Sequence, residues 1–296
     1  MLFALLLGMS LNFLNEQTRC CAGINFTAST VLRIGVALLG LRITIEQVLS
    51  VGMINLAAVS AAIAFTMLAG VFIALRLNRS KEFGILSAGS VSICGASAAM
   101  AIATVLPNHP DREKQLVFTI LCVTTLSTLA MVLYPVIAVR LGLSDIAIGY
   151  FLGGSIHDVA QVVGAGYSVS AEAGDFATIT KLYRVLMLIP VFLVLGLLYG
   201  RGRNPAERSR LPLPWFIVGF VGLLLVASSG WMPASTTQMG IDLSKFCLVT
   251  AIAALGMKTS LKILMRGSGP AIAMLVLETV ILALIVLGWV LFSGQF

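Results

Sequence analysis

Three groups of polar residues stand inside runs that are otherwise apolar, and each has the means to do chemistry. In GYFLGGSIHDVAQVVGAG (149–166), His157 and Asp158 are adjacent, and Gln161 follows Asp158 at the spacing that shares one helical face. An imidazole titrates nearest neutral pH and a carboxylate takes up protons or cations, so this pair could carry a proton or ligate a cation. In ATITKLYRVLML (177–188), Thr178, Lys181 and Arg184 recur every three residues and fall on one stripe of a helix. Two cations on one stripe need negative charge opposite them, either a carboxylate such as Asp158 or a bound anion. The third group is SICGAS (92–97), in which Ser92, Cys94, Gly95 and Ser97 interrupt a run that should form one helix. Close helix packing through small residues is one reading. The other is a helix broken between Ser92 and Gly95, with a new helix starting at Ala96. The N–H groups of such a start carry partial positive charge and favour an oxyanion.

The elements that hold these residues are membrane spans. The chain of 296 residues is 59% hydrophobic and only 10% charged, with a mean hydropathy of +1.04, far from the composition of a soluble domain. A span needs about 20 apolar residues. Ten segments qualify: 1–14, 29–43, 47–76, 84–106, 114–140, 145–166, 173–200, 213–229, 239–257 and 268–293. The expected fold is an all-α polytopic membrane protein, with one transmembrane domain over 1–296, because even the longest polar loop, RGRNPAERSR, is too short to fold alone. The opening MLFALLLGMSLNFL lacks a basic n-region and a cleavage site, so it reads as a mature helix and not as a secretory signal.

Charge orients these spans. One set of alternate loops holds twelve basic residues: Arg19, Arg76, Arg79, Lys81, Arg140, Arg201, Arg203, Arg208, Arg210, Lys258, Lys262 and Arg266. The other holds three, Arg42, Arg112 and Lys114. The first set therefore faces the cytoplasm and both termini face outward. The net charge of +7 is spread over these short loops, which excludes a nucleic-acid partner and leaves the lipid bilayer as the surrounding medium. Cys20, Cys21, Cys94, Cys122 and Cys247 show no CxxC pairing and read as small hydrophobes, so no metal or redox cofactor is expected. No GxxxxGK[ST] loop is present, so an ion gradient or the solute's own gradient would have to supply any driving force.

An aspartate at the bilayer centre costs at least about 2.5–3.5 kcal/mol, so a functional role is the default for His157 and Asp158, with a structural hydrogen-bonded knot as the other reading, while Lys181 and Arg184 are structural if Asp158 balances them and the site if an anion does. Glu278 is a lone deep carboxyl that most simply pairs internally. Arg33 and Lys245 fall near the ends of their segments, where snorkelling accounts for them. VALLGLRITIEQVL (36–49) also lies over IAALGMKTSLKILM (252–265), matching Gly40 with Gly256, Arg42 with Lys258 and Thr44 with Ser260. The charge count runs the two segments in opposite directions, the pattern of an inverted repeat.

The stretches AGINFTASTVLRIGVALLGLRIT, ILSAGSVSICGASAAMA, GGSIHDVAQVVGAG, ATITKLYRVLMLIP and AIAALGMKTS, in this order along nearly the whole chain, resemble the sulfate exporter (YeiH-like) family of bacterial inner-membrane proteins. That family is grouped with cation:proton antiporters and anion transporters. The resemblance implies inverted repeats with discontinuous helices that cross at the midplane, and a place in the bacterial inner membrane. Carried over residue by residue, it marks Ser92, Cys94, Gly95, Ser97, His157, Asp158, Gln161, Lys181 and Arg184. Family members begin with a further apolar segment, and this chain opens at what resembles their second; that added span would place the N-terminus inside.

Together these features point to a secondary transporter, in the family an exporter, of a small oxyanion such as sulfate, sulfite or an organosulfonate. The anion would sit at the helix start near Gly95 to Ser97, balanced by Lys181 or Arg184, while His157 or Asp158 couples a proton. An alternative is a cation:proton antiporter exchanging H⁺ or Na⁺ at Asp158. A remote third is an intramembrane enzyme with His157 and Asp158 as acid and base, for which no nucleophile spacing or HExxH pattern is present. Assembly into a homo-oligomer is compatible with the sequence.

Overall fold

The structure, a computed structural model, describes residues 2–16, 18–107, 111–199, 215–229, 232–258 and 269–294, and within them it is helical with no strand. The helices are α1 (Leu2–Ser10), α2 (Thr18–Phe26), α3 (Leu32–Leu38), α4 (Ile45–Ser50), α5 (Met53–Arg76), α6 (Lys81–Ser92), α7 (Ala96–Val105) and α8 (Arg112–Arg140), then α9 (Asp145–Ser155), α10 (Val159–Val169), α11 (Ala171–Leu186), α12 (Leu188–Tyr199), α13 (Trp215–Ser228), α14 (Ala234–Lys258) and α15 (Gly269–Phe292). Their starts follow local chemistry. Ser80, Ser144 and Ser170 each accept a hydrogen bond from a backbone N–H three residues on, and each is followed by an acidic residue in the first turn, Glu82, Asp145 or Glu172.

Each of the ten apolar segments carries described helix. Six stretches are long and apolar enough to cross a bilayer: Cys20–Leu41, Met53–Arg76, Arg112–Arg140, Ala171–Tyr199, Ser235–Lys258 and Gly269–Phe292. The first of these corrects the expected boundary of 29. Asn25, Thr27 and Ser29 dilute the apolar signal. The helix nevertheless runs through them, with the Ser29 hydroxyl donating to the Asn25 carbonyl (2.7 Å) and a π-helical turn over Thr27–Val31. Arg33 consequently lies well inside a span and not at its end.

Two stretches are interrupted. Between α6 and α7 the chain turns at Ile93, Cys94 and Gly95, and Gly95 takes φ +61° and ψ −123°. An L side chain is disfavoured there, so glycine decides where the turn can occur. SICGAS is therefore a broken helix. Between α9 and α10 the backbone is extended at Ile156 (ψ 142°) and Asp158 (ψ 139°). A single span, α8, separates the two interrupted helices, so they run in the same direction.

The helices form two bundles. One comprises α1, α2, α3, α13 and α14; the other comprises α5 to α11 and α15. Within the first, α3 and α14 run antiparallel: Ala28 clusters with Ala254 and Leu255, the Ser244 hydroxyl donates to the Gly35 carbonyl (2.7 Å), and Leu41 packs over Gly240. The repeat-like segments 36–49 and 252–265 thus belong to neighbouring helices of opposite direction, although 259–265 lie outside the described residues. The seam between the bundles holds a small apolar cluster in which Ala160 of α10 meets Ala254 and Leu255 of α14.

Candidate functional site

Breaking a helix leaves carbonyls without donors on one side and N–H groups without acceptors on the other. On the carbonyl side the ends of α6 and α9 converge, and α11 lies across them. Gly153 permits that approach, because a Cβ there would collide with the Ala177 carbonyl of α11. Arg184 is fully buried and uses all five N–H groups of its guanidinium on backbone carbonyls: Nε to Ser92 (3.0 Å), Nη1 to Gly153 and Ile156 (both 2.9 Å), and Nη2 to Val91 (3.1 Å) and Ser92 (2.8 Å). Lys181, also fully buried, donates to Ile93 (2.7 Å) and Ile156 (2.9 Å). The two cations thus replace the missing helical donors and face the negative ends of two helix dipoles. His157 completes this side. Its Nδ1–H donates to the Val91 carbonyl (2.9 Å), and Nε2 meets Thr279 Oγ1 of α15 (3.0 Å).

On the amide side, the starts of α7 and α10 line one cavity of about 360 Å³. The two starts differ. Asp158 caps α10, its Oδ1 accepting from the Ala160 N–H (2.8 Å), and the Ser127 hydroxyl of α8 accepts from the N–H groups of His157 (3.2 Å) and Asp158 (3.1 Å). Gly95 caps α7 and has no side chain to close its first turn. Cys94, Ser97, Thr124, Thr125 and Asp158 line the cavity from the second bundle. Arg33 and Lys258 line it from the first, across the seam, and neither forms an ion pair among the described residues. A larger groove of about 550 Å³ between α5 and α15 is lined mainly by residues such as Ala58, Phe65, Ile285 and Val286 and presents no charged side chain.

A family model described as conserved hypothetical protein 698 matches residues 1–276. The chain belongs to that family. A UPF0324 membrane protein of Chlorobaculum tepidum is 50% identical over 298 residues, covering 99% of this chain and 83% of the relative. The UPF0324 membrane protein TauZ of Paracoccus denitrificans is 49% identical over 290 residues, 97% and 86% of the two chains. A UPF0324 membrane protein of Pseudomonas putida is 38% identical over 256 residues, 84% and 71%. No solved structure matches the chain. With these bacterial relatives and its apolar helices, this member of the conserved hypothetical protein 698 family is a multi-pass membrane protein. An all-helical architecture suits the bacterial inner membrane, since outer-membrane spanning proteins are β-barrels.

The structure divides the residues singled out in sequence. Cys94, Ser97 and Asp158 line the cavity, and Gly95 makes its turn. Ser92, His157, Lys181 and Arg184 do not line it; they lie buried on the carbonyl side. In this structure both cations are met by backbone carbonyls, where a carboxylate or an anion was expected. Gln161 is buried beside α8, its amide donating to Thr128 Oγ1 (2.8 Å). Arg33, Lys258, Thr124, Thr125 and Ser127 were not named as site residues. The run TTLST (124–128), a block of hydroxyls midway along a 29-residue helix, was the available signal for the α8 residues.

Proposed function

We propose that this protein is a secondary transporter of a small oxyanion, working by alternating access between its two bundles. The observation that carries the proposal is the seam cavity. There the uncapped start of α7, with Ser97, faces Arg33 and Lys258 from the opposite bundle. Helix-start N–H groups and two cations that form no ion pair among the described residues suit a solute with several acceptor oxygens, and the one carboxylate of the pocket, Asp158, whose charge is felt by Lys258, leaves it net positive. Sulfate, sulfite or an organosulfonate fits this chemistry, and the motif resemblance to sulfate exporters points the same way. Because the ligand would touch both bundles at once, a relative movement of the bundles changes the site itself.

The far ends of the same helices are tied together. Arg42, just beyond α3, pairs with Asp175 of α11 (2.8 Å) and lies over the ring of Tyr167 of α10 (5.1 Å), and the Tyr167 hydroxyl donates to the same Asp175 oxygen. With orientation set by the charge count, this latch is at the outer face.

The test is a thermal-stability panel on purified protein. A ligand bound only by the folded state raises the melting temperature. Sulfate, sulfite and a small sulfonate are expected to stabilise the wild type, and Arg33→Gln is expected to need about tenfold more anion for the same rise. Radiolabelled anion flux in liposomes then follows the same ranking. Asp158 in the cavity supports one other reading, a cation:proton antiporter. Stabilisation by Na⁺ or Li⁺ and by no oxyanion, lost in Asp158→Asn, would select it.

A further inference from the structure

Glu278 lies outside the cavity and outside the carbonyl cluster, near the middle of α15, and is completely buried. Gly70 of α5 leaves room for Oε1, which a Cβ there would strike, the Ser87 hydroxyl of α6 meets the same oxygen, and the titratable group within reach of its charge is the Cys122 thiol of α8. It forms no ion pair with any described residue. Oε2 has no hydrogen-bond partner among the described residues, and Oε1 lies 2.8 Å from the Ser87 hydroxyl.

That hydroxyl also lies 3.1 Å from the Gly84 carbonyl, and a serine has one hydrogen to give. With an ionised carboxylate, one of the two contacts lacks a hydrogen, and a bare charge sits among apolar helices at a cost of several kcal/mol. With a protonated carboxyl, Glu278 donates to Ser87 Oγ and Ser87 donates to Gly84, and both contacts hold a hydrogen. The next residue, Thr279, meets His157, which in turn donates to Val91 at the end of α6. The helix that carries the carboxyl is therefore joined by side chains to the broken helix that forms the cavity.

We propose that Glu278 is a proton-binding site, protonated in this conformation and emptied when α15 shifts against α5 and α6, and that it is the group through which a proton is coupled to transport. The coupling clause rests on the transporter reading above; the proton site does not. The probe is the protein itself in lipid bilayers, examined by infrared difference spectroscopy. Wild type is expected to show a protonated-carboxyl band that declines as pH is raised, and Glu278→Gln is expected to lack it. A spectrum unchanged by Glu278→Gln would overturn the site, and so would loss of the band on replacing choline with Na⁺, which would make the carboxyl a cation ligand. In liposomes loaded with a pH-sensitive dye, wild type is expected to move protons on addition of a stabilising anion and Glu278→Gln to lose that response completely, while keeping the anion-induced rise in melting temperature. Equal proton movement in both proteins would reduce Glu278 to a structural carboxyl, and a wild type that moves no anion would sink the transporter reading while the infrared result still decides the proton site.

Discussion

The two sides of the helix breaks sit within a few residues of one another and are built in opposite ways. On the carbonyl side every exposed acceptor of interest meets a buried cation, and Arg184 has no N–H left to offer. On the amide side the N-cap of α7, Gly95, offers no side-chain cap, and Arg33 and Lys258 reach the same space without ion-pair partners among the described residues. Positive charge in a membrane interior is thus put to two uses. Where it is saturated by carbonyls it holds the fold together, and where it is left unsaturated it can hold a solute.

The sharpest way to break this comparison is Arg184→Ala. It strands the buried carbonyls of Ser92 and Gly153, at about 1–3 kcal/mol each, and leaves Val91 and Ile156 with only His157 and Lys181 as donors, and the variant is expected to fail to give a monodisperse, cooperatively melting protein in size-exclusion and thermal-melt measurements. A well-folded Arg184→Ala that had lost only anion stabilisation would reverse the assignment of the two sides. Lys181→Met removes two such bonds and is expected to cost about 3 kcal/mol, lowering the melting temperature in the presence and absence of anion alike. Gly95→Ala, at φ +61°, is expected to cost about 1–2 kcal/mol and to weaken anion binding, because it strains the turn from which α7 starts. Arg33→Gln is expected to melt as the wild type does without anion, yet to bind anion about tenfold more weakly, a loss of about 1.4 kcal/mol. Lys245→Ala disrupts only an exposed pair with Asp242 (3.1 Å) and is expected to change stability by less than about 0.5 kcal/mol, with anion response intact; it calibrates how little a surface charge matters.

The break at SICGAS was legible because the cause is local. A glycine among small polar residues, in a run where lipid offers no replacement hydrogen bonds, marks a place where a helix can stop and restart. The importance of Lys181 and Arg184 was equally legible, since charges at depth are costly, but their partners were not. One stripe of a helix shows which way two cations point, and nothing about whether carbonyls or an anion await them. Arg33 was missed for a related reason. Its depth depends on where its helix begins, and the polar residues Asn25, Thr27 and Ser29 hid nine residues of that helix.

The sequence by itself determined that this chain lives in a membrane, where its apolar segments lie, where one of its helices must break and which charges are buried at a cost. Those properties follow from composition, from the length of apolar runs and from the conformational range of glycine, all of which act over a few residues. Tertiary structure alone decided that two breaks meet, that Arg184 and Lys181 close their carbonyl ends, and that Arg33 and Lys258 arrive from a separate bundle to face the start of α7. The reason is that a buried cation takes its meaning from its partner, and here every partner is tens of residues away along the chain and is brought near by how the helices pack.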